Sequence, residues 1–343
     1  MTVSFRLSVV FLVLSASLSS ANPSDTLALD YARGKRVLDE AGTLRDLEAA
    51  RTIFVDLVAR DRNYAPAYVG LGEYEQEMTF FDPRNAAKRE NSARKFAEHA
   101  LKLDPSLFDG MVLMAGIAVH DGDFDVARTW ADRADLRRPG ADEVKVVRAD
   151  IAMRERDFRT GVAIARDVAA NANEKYIRVE ADLLLFNIYA RQGFNEQAEA
   201  TLRQTVKLYP DKSLLHGLYA GFMVQRRRVD DAITEAERAV ALSRDPFVDR
   251  VLATAYAVKA NALWSSRAYA EASLYIDKAM PFMGDDADAF YSAGNFYARA
   301  ADKLGKPELR ERAVAAFKKA LEIAPDHANA RRALEKMTQN SAH

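Results

Sequence analysis

Between Phe108 and Ala141, thirty-four residues carry two amphipathic helical patterns around one turn, FDGMVLMAGIAVHDGDFDVARTWADRADLRRPGA. Met111, Met114, Ala115 and Ala118 recur at the spacing that places side chains on one face of a helix. Asp121-Gly122-Asp123 interrupts that pattern, and Ala127, Ala131 and Ala134 then mark a second apolar stripe. Pro139 closes the unit, because proline lacks the N–H that would carry a helix onward. Neither helix can bury its stripe alone, so a chain built this way must stack one unit upon the next.

Related units lie on both sides. Leu27 to Ala41 and Leu44 to Arg60 form a first pair, with Ala50, Phe54 and Leu57 on one face. A second pair has Tyr68, Leu71 and Gly72 in its first helix and Ala93, Ala97 and Ala100 in its second. An extra stretch, Glu77 to Lys88, is expected between these two helices. Further units follow with Ala149 and Ala165, with Tyr189 and Ala198, and with Tyr219, Ala232, Ala236 and Ala239. Phe247 to Trp264 reads as one long helix, answered by Ala272, Ile276 and Ala279. Phe290, Ala293, Gly294 and Tyr297 open the last pair, and Ala313, Phe317 and Ala320 close it after a break at Leu304-Gly305-Lys306-Pro307. Asn329 to Met337 is a more polar helix, as a terminal cap requires.

The large residue, Leu and Gly at Tyr68, Leu71 and Gly72, the recurring alanines and the LKLDP exit at 101–105 resemble the tetratricopeptide repeat (TPR). This resemblance implies an all-α, right-handed α-solenoid of about eight TPR helix pairs, spanning 22–327, with a capping helix and tail at 328–343. The opening, from Leu29 to Pro105, also resembles TPR modules attached to bacterial adenylate cyclases and transcriptional regulators, where the module senses or docks.

In a TPR register the second, fifth, ninth and twelfth positions of each unit face a concave groove. The resemblance therefore places there Val69, Glu73 and Gln76, then Val112 and Val119, then Asp150 and Met153. Glu180, Leu183 and Asn187 follow, and Tyr291 and Asn295 complete the set. Such a groove suits an extended or helical peptide. The TPR clamp for a terminal carboxylate is missing: Asn187 and Asn295 hold its asparagine position, but Leu183 and Tyr291 replace the lysine, and Leu214 and Leu218 replace the basic pair that follows.

Charge and composition narrow the function. Lys and Arg number 49 against 50 Asp and Glu, a formal net charge of −1, which argues against nucleic acid as a partner. Cysteine is absent, so disulfides, thiolate metal sites and cysteine nucleophiles are excluded. Arg6, the apolar run Leu7 to Leu14, and Ser19, Ser20 and Ala21 form the pattern of a cleaved signal peptide over 1–21. The expected location is thus periplasmic or secreted, in a bacterium, with no transmembrane segment in the mature chain.

Other constellations have structural readings. Asp121, Asp123 and Asp125 have the spacing that opens a calcium loop, but Val126 stands where glycine is needed and Asp132 where a bidentate glutamate is needed. Arg226-Arg227-Arg228 is offset by Asp230-Asp231, and Trp130 and Trp264 read as packing residues. The basic stretch 84–95, with Arg84, Lys88, Arg89, Arg94 and Lys95, could meet an acidic partner. No catalytic set, metal site or cofactor site is expected. The reading is an exported scaffold or adaptor binding a protein or peptide in its groove. The alternative is a cell-envelope assembly factor handling polysaccharide or peptidoglycan machinery, which would favour exposed aromatic residues in the groove.

Overall fold

The structure, a computed structural model, describes residues 23–339. The expected signal peptide lies outside the described residues. Helices pair antiparallel in chain order: α1 (Pro23–Asp39) with α2 (Leu44–Arg60), α3 (Ala65–Phe81) with α4 (Ala86–Leu103), and α5 (Phe108–Asp121) with α6 (Phe124–Arg137). Next come α7 (Asp142–Arg154) with α8 (Phe158–Asn171), α9 (Lys175–Arg191) with α10 (Asn195–Leu208), and α11 (Ser213–Gln225) with α12 (Val229–Leu242). The last pairs are α13 (Pro246–Ser265) with α14 (Tyr269–Ala279) and α15 (Ala287–Leu304) with α16 (Pro307–Ile323), and α17 (Ala328–Gln339) covers the end. Among the described residues there is no strand. The fold is an all-α solenoid.

Along most of the stack a first helix also touches the first helix of the next pair, as α3 does α5 and α7 does α9. The second helices present a stripe of small residues to this seam. Ala97, Ala127, Ala198, Ala232, Ala272 and Ala313 are all completely buried. Gly72 serves the same end from the other side. A β-carbon there would lie 2.6 Å from Leu113 and 3.2 Å from the Ala93 carbonyl oxygen, so α3 approaches α4 and α5 more closely than a side chain permits.

The stretch expected as an insert, Glu77 to Lys88, is a correction in kind. Its residues extend α3 to Phe81 and start α4 at Ala86, with a 3-10 turn, Pro83–Asn85, between them. The second pair is therefore longer rather than looped.

From the third pair to the eighth, the turns between paired helices share a left-handed residue. Gly122 and Gly193 take it at φ of 82° and 76°, where glycine costs nothing. Arg156, Arg227 and Arg267 occupy the same place in their pairs at 68°, 60° and 66°, where an L side chain is strained. The arginine at 156 is exposed and its backbone N–H bonds the Met153 carbonyl, which a glycine would keep. Replacing Arg156→Gly should therefore stabilise the protein by about 0.5–1 kcal/mol after glycine's added chain entropy is counted. Urea unfolding of the two proteins measures it, and an unchanged or lower midpoint would refute the strain argument.

Candidate functional site

The solenoid curls far enough for its beginning to meet its later pairs. The β-carbon position of Gly42, in the α1–α2 turn, is 3.2 Å from the Asp211 carbonyl oxygen and 3.4 Å from Lys212 Cα. Lys212 Nζ donates to the Ala41 carbonyl at 2.9 Å, and Arg84 donates to the Asp285 carbonyl at 2.9 Å. Phe247 of α13 packs against the apolar cluster of α1, α2 and α3. An inner space results, bordered by first helices.

That space is lined with acid. From α1 come Lys35 and Asp39, from α3 Glu73 and Glu77, and from α9 Tyr176 and Glu180. Lys35 Nζ is 2.7 Å from Glu73 Oε2 and 3.1 Å from Asp39 Oδ1, and it sits 5.9 Å from the Tyr176 ring centre. One ammonium is thus shared between two carboxylates and crosses from α1 toward α9. Burial alone would lower its pKa, but Glu73 and Asp39 together hold it well above the ordinary lysine value.

The carboxylates move the other way. Burial pushes Glu73 up to about 7 even beside Lys35, because that lysine is already divided with Asp39 and because Asp39 and Asp109 add like charge. Enclosure, followed by the charge of Glu77, pushes Glu180 up to about 8. Glu180 itself is exposed to solvent, beside the half-buried Tyr176 of the same helix. Burial also raises Glu77 and Asp39. Lys212 is lowered, chiefly by burial and against the opposing pull of Glu77. The arrangement concentrates negative charge where water is scarce and leaves two lysines to answer it.

Of the expected groove residues, Glu73 and Glu180 meet in this space, and Gln76 and Val112 are half-buried. Gln76 faces open room beside Gly116, whose β-carbon position is 3.9 Å from Gln76 Nε2. Three are corrected. Val69 (0% exposed), Val119 (1%) and Met153 (4%) lie in the core, turned toward the neighbouring first helix instead of the opening. Asp150 pairs with Arg154 at 3.0 Å. Leu183 packs partly against the α9–α11 cluster, Asn187 is exposed and Asn295 is half-buried. Tyr291 is not a free platform: its ring lies 6.0 Å from Phe317 and 5.1 Å from His327. Lys35, Asp39, Glu77, Tyr176 and Lys212 were not expected at the site. Glu77 and Tyr176 each stand four residues from an expected member, which was a usable signal.

Elsewhere, Asp121 pairs with Arg94, Asp123 caps α6 by accepting from the Val126 N–H, and Asp125 pairs with Arg128. In the basic stretch 84–95, Arg84, Arg89 and Arg94 bond within the protein, while Lys88 and Lys95 are exposed. Among the described residues, no helix is long and apolar enough to cross a membrane.

The sequence profile of the tetratricopeptide repeat matches residues 287–327, the pair α15–α16 with the approach to α17. The fold is that of a TPR solenoid. Its architecture is similar to that of human IFIT1 in a dimer with m7Gppp-AAAA, at a TM-score of 0.67 and 13% identity, covering 92% of this chain and 72% of that one. It is also similar to a chain of the APC/C hetero-tetramer Cut9-Hcn1, at 0.50 and 12% identity, covering 92% of this chain and 56% of that one. The chain thus spans little more than half of that second protein's length. No curated protein matches it in sequence.

The raised carboxylates make the stability of this protein depend on pH. A carboxylate whose folded pKa is raised contributes stability below its unfolded value, and loses it as pH climbs through the folded value. For Glu180 that window runs from the ordinary 4.5 to about 8. Glu180→Gln should melt close to wild type at pH 5 and above it at pH 9. A melting difference that stays flat across that range would show that the wall is not crowded with charge.

Proposed function

We propose that this protein is a scaffold that holds a protein or peptide partner by a lysine- and arginine-rich segment laid into its inner space. The observation that carries the reading is the gathering of Glu73, Glu77, Asp39 and Glu180 around Lys35, whose ammonium lies 2.7 Å from Glu73 and 3.1 Å from Asp39. Such carboxylates are held short of full ionisation by each other and by enclosure. A cation arriving from a partner restores the balance and is bound by it. A phosphate-rich ligand such as the m7Gppp-AAAA named in the IFIT1 complex carries negative charge and would be repelled, although the two folds are similar. We infer a peptide with charged rather than mainly apolar contacts, because Val69 and Val119 are core.

The role is that of a binding surface, with affinity set by charge and shape. Fluorescence anisotropy of a labelled lysine-rich peptide tests it. Binding should tighten between pH 6 and pH 9, as Glu73 and Glu180 ionise while lysine stays charged. Added salt should weaken it. The triple change Glu73→Gln, Glu77→Gln, Glu180→Gln should cost at least about tenfold in Kd, or about 1.4 kcal/mol. Equal affinity for a glutamate-rich peptide, or an unaltered Kd in the triple variant, would overturn the reading.

The pattern of Arg6, Leu7 to Leu14 and Ser19 to Ala21 supports a second part of the proposal, that the scaffold works outside the cytoplasm of a bacterium. N-terminal sequencing of the protein from a host periplasm should start near Asn22. Recovery of an intact Met1 terminus in the cytoplasmic fraction would rule it out.

A further inference from the structure

The inner space is closed on one side by a narrow contact between two turns. Gly42 presses its backbone against Asp211 and Lys212, and the Lys212 ammonium donates to the Ala41 carbonyl at 2.9 Å. The contact is one of turn backbone on turn backbone, whereas the junctions along the chain interlock buried alanines. Lys212 is half-buried, and its charge is felt by Glu77 on the wall of the inner space, with Glu40, Asp46 and Asp211 also nearby. One side chain therefore belongs to both the closure and the site.

We propose that the Gly42–Lys212 contact is a clasp, held by the Lys212 ammonium, whose release opens the inner space, and that Glu77 couples the state of the clasp to occupancy of the site. The physical sequence is short. With the space empty, the charge of Glu77 helps to keep the Lys212 ammonium in place beside the Ala41 carbonyl. A cation bound at Glu77 cancels that charge, and Lys212 then loses its compensation for lying out of water. The clasp loosens when the site fills. By linkage, a loosened clasp leaves Glu77 without its lysine and so binds a cation more tightly.

Beyond the clasp, Arg84 to the Asp285 carbonyl and Phe247 against the first cluster hold the curl together. Release at Gly42 thus opens the edge of the turn without separating the pairs along the chain. The clasp stands on the contact between the turns, whatever the chemistry of the partner, so its failure and that of the basic-peptide reading are distinct results.

The absence of cysteine makes two introduced thiols the only ones in the protein. Ala49 in α2 and Lys207 in α10 are exposed and flank the clasp. Spin labels at Ala49→Cys and Lys207→Cys, read by pulsed electron resonance on the full mature chain, report the gap. Adding Gly42→Trp with Lys212→Ala should lengthen and broaden the distance distribution while far-ultraviolet circular dichroism stays that of the parent. Lys212→Ala alone should do the same to a smaller extent, and it serves if the tryptophan variant does not fold. Glu77→Gln, which touches neither turn, should move the distribution in the same direction. A distribution unmoved by Lys212→Ala would overturn the clasp. A response to Lys212→Ala with none to Glu77→Gln would overturn the coupling.

Discussion

Everything in this molecule depends on helices that pack with almost nothing between them. The second helix of each pair meets the seam with alanine, and those alanines are fully buried along the whole length of the solenoid. A small contact residue sets a short distance between helix axes and fixes how one pair sits upon the next. Repeated without closure around a single core, the same step also fixes how fast the stack curls. The alanine stripe is therefore more than a packing device. It determines the geometry at which distant pairs meet.

That meeting changes the energetics of the chain. In an open array each pair feels only its neighbours, and stability is close to a sum of local terms. Here Phe247 enters the cluster of the first pairs, and Lys212 and Arg84 each reach a carbonyl far away in sequence. These contacts close a loop of the chain and are absent until most of the pairs have stacked. The pairs can thus form in sequence from local contacts, and the curl completes them.

The same distinction separates what the sequence disclosed from what it could not. Apolar periodicity, the breaks at Gly122 and Gly193, and the alanine stripes are local signals, and they marked the helix pairs from the first to the last. Glu77 to Lys88 reads as an insert, yet Met78 and Phe81 continue the buried face of α3 and the stretch only lengthens the two helices around the turn at Pro83. Val69, Val119 and Met153 were set in the groove by counting positions. Side chains on a helix lean toward its N-terminus, and the flank of each first helix is covered by the next one, so these three turn into the core. Lys35 beside Tyr176 and Lys212 beside Ala41 had no local signature. Their neighbourhood is the summed rotation of several pairs, which no window of sequence contains.

Curling also brings together groups that would be innocuous apart. Glu73 and Glu77 on α3 and Glu180 on α9 would be ordinary solvated carboxylates on an open solenoid, with pKa values near that of free glutamate. Enclosure removes part of their water and sets them near each other and Asp39, so ionising one makes the next more costly. Lys35 cannot resolve this, since its single charge is already divided between Glu73 and Asp39. Natural proteins give up stability mainly at places where a ligand later restores it. In the function proposed above, the acids around Lys35 and Lys212 are such a place, and the ligand that restores it is positive.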